Sequence, residues 1–239
     1  PEYRLDAMRA LLKIYCTEKE WNKAIEIANT LERQAGENHQ VEMGHFHCEL
    51  AGLAMRAKHF DQAKLELEKA LQVDRKSVRA LIMLGNLSML NNDPNAAIQY
   101  WSQVEKVSPE HLTLVMVQMA QAYEAIGQHD QAMNLINRAL EDHSSVETLS
   151  IALDLIIKSE GEKAAEKFLK EELGRRPTLW AYEKLSELRL KANPEDSELQ
   201  LLTALLKPYV SRPGRYRCSH CGFKAKGFQW LCPGCSSWG

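Results

Sequence analysis

Over the first two hundred residues, apolar positions recur at spacings of three and four, and alternating stretches are almost absent. This pattern predicts amphipathic helices joined in pairs by sparse, regularly placed breakers. A second rhythm lies beneath it. Ala24, Ala63, Ala97 and Ala132 align with one another at spacings of 39, 34 and 35 residues. Twelve residues ahead of three of them, a small residue follows a large one, as in Leu50-Ala51, Leu84-Gly85 and Met119-Ala120, while Leu11-Leu12 departs from the rule. Behind each aligned alanine come Ala28 and Leu31, Leu67 and Ala70, Trp101 and Val104, and Ile136 and Ala139. Tyr15 and Tyr123 hold an aromatic position at the end of the first helix of a pair, Trp21 and Phe60 hold one before the second, and Pro109 closes the third unit.

A repeat of this length, with small residues where two helices cross and large ones filling the gap to the next unit, resembles the tetratricopeptide repeat. No single unit buries its apolar face alone, so stacking completes the core. The expected fold is therefore all-α, an α-α solenoid. The match is good from Leu5 to about Glu141. From Val146 to Pro177 the length persists, with Ala165 and Pro177 in register and Leu153 in place of the small residue. Thr178 to Pro208 adds one helix pair, a divergent repeat or a cap. In such stacks the first helices line the concave side. The register puts Arg56, Arg79, Ile82, Asn86, Met89 and Gln121 there, a mixed surface with methionines that adapt to partners.

The tail follows different rules. Cys218-Ser-His-Cys221 and Cys232-Pro-Gly-Cys235 are two C-x-x-C pairs separated by ten residues, a metal-ligand spacing. Each turn aims two sulfurs at one point, and together they supply four thiolates in a tetrahedron, which suits one zinc or iron ion. Gly222, Pro233 and Gly234 suit the tight turns whose N–H groups face the sulfurs. A thioredoxin-like redox site needs one such pair at a helix start within an α/β fold, for which thirty residues leave no room. His220 sits inside the first knuckle and is expected outside the coordination sphere. Tyr216, Phe223, Phe228, Trp230 and Trp238 are the expected aromatic core of the segment, which is too short to hold together by burial alone. With all four positions taken by Cys218, Cys221, Cys232 and Cys235, the site reads as closed and structural rather than catalytic. The expected domains are residues 1–208, helical repeats, and 209–239, the metal segment.

Charge sharpens this division. The 239 residues carry a net charge of −2, but no acidic residue follows Glu198. Six of the 30 Lys and Arg lie in that stretch (Lys207, Arg212, Arg215, Arg217, Lys224 and Lys226), leaving 24 against 32 acidic residues, a net −8, in the rest. A basic tail can meet anionic lipid, nucleic acid or an acidic protein face; it can also balance a site of four thiolates and one divalent ion, itself −2. Cys16 and Cys48 read as small buried residues, and this cysteine usage fits a reducing compartment. His45 and Cys48 share a helix face, with His47 away from it; two ligands on one helix do not make a metal site. No run of 18 apolar residues is present. Pro1 opens directly on a helical pattern without methionine, so the chain is expected to be a fragment.

Enzyme signatures are missing: there is no Gly-rich phosphate loop and no nucleophile with a patterned base. Repeats followed by Arg215-Tyr-Arg-Cys-Ser-His-Cys-Gly-Phe223 and Trp230-Leu-Cys-Pro-Gly-Cys-Ser-Ser-Trp238 resemble the lipopolysaccharide assembly protein B family of Gram-negative bacteria. The tail also looks like the zinc segment of a bacterial DNA-repair ATPase family, whose phosphate loop is absent here. The first resemblance implies a rubredoxin-like iron site, where four thiolates permit zinc equally. It implies an adaptor without catalysis, at the cytoplasmic face of the inner membrane and anchored by an N-terminal helix outside this chain. The implied partners are the membrane protease FtsH, the lipid A deacetylase LpxC that it degrades, and lipopolysaccharide assembly and transport proteins; no nucleic acid is expected. The alternatives are a nucleic-acid-binding zinc ribbon on a repeat scaffold and an iron redox protein.

Overall fold

The computed structural model describes residues 2–142, 146–210, 216–225 and 227–238. Twelve α-helices occupy them: α1 (Glu2–Glu18), α2 (Trp21–Ala35), α3 (Gln40–Arg56), α4 (Phe60–Val73), α5 (Val78–Leu90), α6 (Pro94–Val107), α7 (Met116–Ala125), α8 (His129–Asp142), α9 (Val146–Glu160), α10 (Glu162–Arg175), α11 (Leu179–Ala192) and α12 (Ser197–Val210). A 3-10 turn, Pro109–Leu114, precedes α7 and was not legible in the periodicity. Two short strands, β1 (Tyr216–Arg217) and β2 (Lys224–Ala225), pair antiparallel with Tyr216 opposite Ala225. The last helix runs two residues past Pro208, which lacks the N–H that an i−4 helix bond needs and so loosens only the final turn.

The chain forms two packing units, residues 1–128 together with Trp238, and residues 129–237. In the first, α1 packs on α2, α3 on α4 and α5 on α6, and each pair contacts the next. In the second, α8 through α11 each contact the following helix. All four aligned alanines are fully buried, as are Ala28, Leu31, Leu67, Ala70, Trp101, Val104 and Ile136. Ala139 lies outside the residues whose side chains are described.

The repeat has a backbone signature as well. In the first four pairs the turn between helices holds one residue in the left-handed region: Lys19 (φ 59°), Lys58 (φ 60°), Asn92 (φ 57°) and Gly127 (φ 72°), each five residues before its aligned alanine. The next amide closes back over the helix end: Glu20 N–H donates to the Tyr15 carbonyl, His59 to Ala54, Asp93 to Ser88 and Gln128 to Tyr123, at 2.8–2.9 Å. This is the Schellman arrangement, which satisfies carbonyls the helix leaves unbonded. In the fifth pair Gly161 carries both the positive φ and the bond to Ile156, so the turn is one residue shorter. That is the physical form of the weakened register after residue 141. Side chains also cap helix starts: Ser77 accepts from Ala80 N–H, Asp93 from Ala96 N–H ahead of Pro94, Thr178 from Ala181 N–H and Asp196 from Leu199 N–H.

The small residue ahead of the aligned alanine has a measurable reason at Gly85. A Cβ there would lie 2.2 Å from Nε1 of Trp101, a ring fully buried and hydrogen-bonded to the Ile82 carbonyl at 3.3 Å. Gly52, on the neighbouring first helix, has nothing nearer than 3.8 Å. Gly85→Ala is expected to destabilise the protein by about 1–3 kcal/mol through overpacking, whereas Gly52→Ala gains up to about 1 kcal/mol of helix propensity. Chemical denaturation checks both, and combining Gly85→Ala with Trp101→Phe should recover part of the loss, because the two positions share the contact.

Candidate metal centre and partner surface

The two C-x-x-C turns fold alike. Gly222 N–H donates to the Cys218 carbonyl at 2.9 Å and Ser236 N–H to the Cys232 carbonyl at 2.8 Å. Cys218 N–H donates to the Phe223 carbonyl at 2.8 Å and Cys232 N–H to the Ser237 carbonyl at 2.9 Å. Gly222 (φ 77°) and Ser236 (φ 57°) take the left-handed position, so the residue following each pair makes the turn. Gly234 serves the sulfurs directly. Its N–H lies 3.4 Å from Cys232 Sγ, and a Cβ on it would lie 3.4 Å from Cys221 Sγ.

Folded this way, the turns bring all four sulfurs within 4.8 Å of one another. Cys218 and Cys235 Sγ are 3.8 Å apart, and Cys221 and Cys232 Sγ are 3.6 Å apart. These are far from bonded S–S distances, and all four are free thiols. They match the edge of a tetrahedron with metal–sulfur bonds of about 2.3 Å, which is roughly 3.8 Å. The donor set therefore fits one tetrahedral ion with no position left for a substrate. Local donors already favour charge at two corners. The Cys221 and His220 amides hold the Cys218 thiol below its ordinary value, and the Ser237 hydroxyl and amide lower Cys235 to about 6. At Cys221 the Phe223 amide pulls downward, but the Cys235 sulfur, burial and the other two sulfurs outweigh it and push that thiol up to about 12. Four thiolates this close repel, and a cation is the natural remedy.

Aromatic packing beside the site is smaller than expected. Tyr216 and Phe228 meet edge to face at 5.8 Å, and Phe228 and Trp230 at 4.8 Å. Phe223 is 43% exposed. Trp238 does not join this group: it packs in the first unit, parallel to His45 at 4.5 Å and edge to face with Trp21 and Phe46 at 6.3 and 6.2 Å. The indole finds there an apolar cluster of Trp21, Ala24, Ala28, Met43 and Phe46, whose buried area exceeds anything the short tail offers.

This packing also changes the reading of two first-helix positions. Arg79, placed by the register on the concave side, is largely buried: it pairs with Glu49 at 2.7 Å, and its guanidinium lies 5.6 Å from the Trp238 centroid. Burial, aided by Arg79, lowers His45 to about 4, so its imidazole is neutral at ordinary pH. His47 Nδ1 meets Glu66 at 2.7 Å, and Lys69 and Gln62 meet the other Glu66 oxygen. Cys48 is fully buried, and burial raises its thiol to about 12. These groups are structural. Arg56 and Gln121 are exposed, and Ile82, Asn86 and Met89 are half-buried, all on α3, α5 or α7. Of the basic tail, Arg212, Arg215 and Lys226 lie outside the described residues.

The whole chain is similar to lipopolysaccharide assembly protein B. The Escherichia coli K12 protein of that name is 29% identical over 99% of this chain and 62% of its own length. The Haemophilus influenzae protein is 26% identical over 100% and 61%. The chain thus spans about three-fifths of the length of the curated relatives it matches. The family model for the tetratricopeptide repeat matches residues 115–141. Among solved structures, a tetratricopeptide repeat protein from Parabacteroides merdae is 14% identical with a TM-score of 0.51, covering 88% of this chain and 81% of its own. PilF of Pseudomonas aeruginosa is 17% identical with a TM-score of 0.50, covering 87% and 91%. At such identities these two speak for the fold alone: an all-α chain of tetratricopeptide-type helix pairs, followed here by a four-cysteine knuckle.

Two outcomes test the site. Cys218→Ser leaves three thiolates, and hydrogen exchange should show residues 216–238 losing protection while the helices keep theirs. Acid should do the same. The lowered Cys235 thiol contributes stability that is full above its ordinary pKa of about 8.5 and lost as pH falls through about 6. A bound ion depresses that value further, so metal release, followed by elemental analysis, is expected below pH of about 6.

Proposed function

We propose that this chain is a non-enzymatic adaptor in lipopolysaccharide assembly, with residues 1–208 presenting a protein-binding surface and residues 209–239 forming a closed metal knuckle. The observation that carries this reading is the similarity to lipopolysaccharide assembly protein B along the whole chain, across repeats and knuckle alike. Cys218, Cys221, Cys232 and Cys235 would hold one iron or zinc ion, which supplies folding free energy to a segment with few buried residues. A filled tetrahedron offers no site for water activation or substrate, which agrees with a scaffold.

The partners follow from the same similarity: the membrane protease FtsH, the deacetylase LpxC whose degradation the adaptor promotes, and proteins of lipopolysaccharide assembly and transport. The place of action is the cytoplasmic face of the inner membrane. Among the described residues no helix is long and apolar enough to cross a membrane. The binding face we assign is that of α3, α5 and α7, with Arg56, Asn86 and Gln121 as polar contacts and Ile82 and Met89 as apolar ones. Arg79 joins them only as a support, because its pairing with Glu49 ties α3 to α5.

A combined Arg56→Glu, Asn86→Arg variant, expressed in its natural full-length context, is expected to slow deacetylase turnover at least about tenfold, as removal of one good interaction would. Circular dichroism should be unchanged, since Arg56 is exposed and Asn86 is only half-buried. Normal turnover by the folded variant would remove this face from the account.

A further inference from the structure

Helix α12 is apolar on two sides. Leu199, Leu202, Leu206 and Val210 are half-buried as the helix packs on α11. On the other side Leu201, Ala204, Leu205, Pro208 and Tyr209 are all exposed, with Leu201 at 64%, Leu205 at 58% and Tyr209 at 61%. Their spacing of i, i+3, i+4, i+7 and i+8 is one continuous helical stripe. In a repeat stack that stripe belongs against the next helix pair, and terminal units ordinarily turn a polar face outward. Here the described residues that follow form the knuckle instead of a helix pair, and the stripe stays open in their presence.

We propose that this face of α12 pairs with α12 of a second copy of the same chain, antiparallel about a two-fold axis. The stripe is self-matching: in the antiparallel register centred near Thr203, Leu201 of one copy meets Leu205 of the other, and the reverse contact is identical. Charge favours the same orientation. Glu195, Asp196 and Glu198 gather at the N-terminal end of α12, and Lys207, in its last turn, is the helix's one basic residue. Antiparallel pairing sets each acidic end beside the other copy's basic end and opposes the two helix dipoles. A parallel pair would set like ends together. A lipid surface is the poorer fit, because a helix that binds one carries several Lys or Arg along its polar face. Fourteen residues make a helix of about 21 Å. A single pair of that length buries less than the ~1,200 Å² of a standard interface, so the dimer should be weak and concentration-dependent.

Sedimentation velocity across a wide concentration range tests this on the intact, metal-loaded chain. The sedimentation coefficient is expected to rise with concentration, and hydrogen exchange in residues 197–210 to slow in parallel. Leu201→Glu with Leu205→Glu changes two solvent-facing side chains and should weaken self-association at least about tenfold without altering helicity or metal content. A chain that stays monomeric throughout overturns the proposal. So does a double variant that still dimerises, since another face would then be responsible, and so does one that loses its metal, since the stripe would then be covered by the chain's own knuckle. Flotation with anionic phosphatidylglycerol vesicles that is abolished by the double variant would assign the stripe to a membrane surface and equally overturn it.

Discussion

The helical part of this protein depends on how closely two helices can approach at a crossing. Ala24, Ala63, Ala97, Ala132 and Ala165 are each fully buried, and at Gly85 even a methyl group would enter the Trp101 indole. Close packing removes tolerance for size at these points. Large residues then belong between the crossings, and the recurring left-handed turn delivers the second helix at a repeatable angle. Tertiary packing, rather than the propensity of any one helix, holds the array together.

The knuckle is governed by a different balance. Few of its described residues are buried, and Tyr216, Phe228 and Trp230 pack ring against ring. Two hydrogen-bonded turns of matching design set four sulfurs at the corners of a tetrahedron, where neighbouring thiolates repel. An ion at the centre turns that repulsion into attraction and completes the segment. With all four ligands supplied by the protein, such a site leaves no position at the ion for a substrate.

Much of this was readable in the residues. Small side chains at fixed spacing reported the crossings because only close approach demands them, and paired cysteines reported the sulfur cluster because few other arrangements use that spacing. Other features left no such trace. Three of the left-handed turns are filled by Lys19, Lys58 and Asn92 rather than by glycine, so composition did not mark them. The histidines of the third helix could be placed only on its faces, yet His45 stacks on Trp238, far away at the other end of the chain, and His47 meets Glu66 on the following helix. Trp238 read as part of the tail because it lies three residues from Cys235. Its place among Trp21 and Phe46 is set by long-range burial, which periodicity does not encode.

The central claim is that Cys218, Cys221, Cys232 and Cys235 close a tetrahedron around one ion. X-ray absorption on the purified protein tests this most directly. Four sulfur scatterers at about 2.3 Å, with no oxygen or nitrogen bound to the ion, is the result expected. Three sulfurs with a light-atom ligand would mean an open position and would contradict the account.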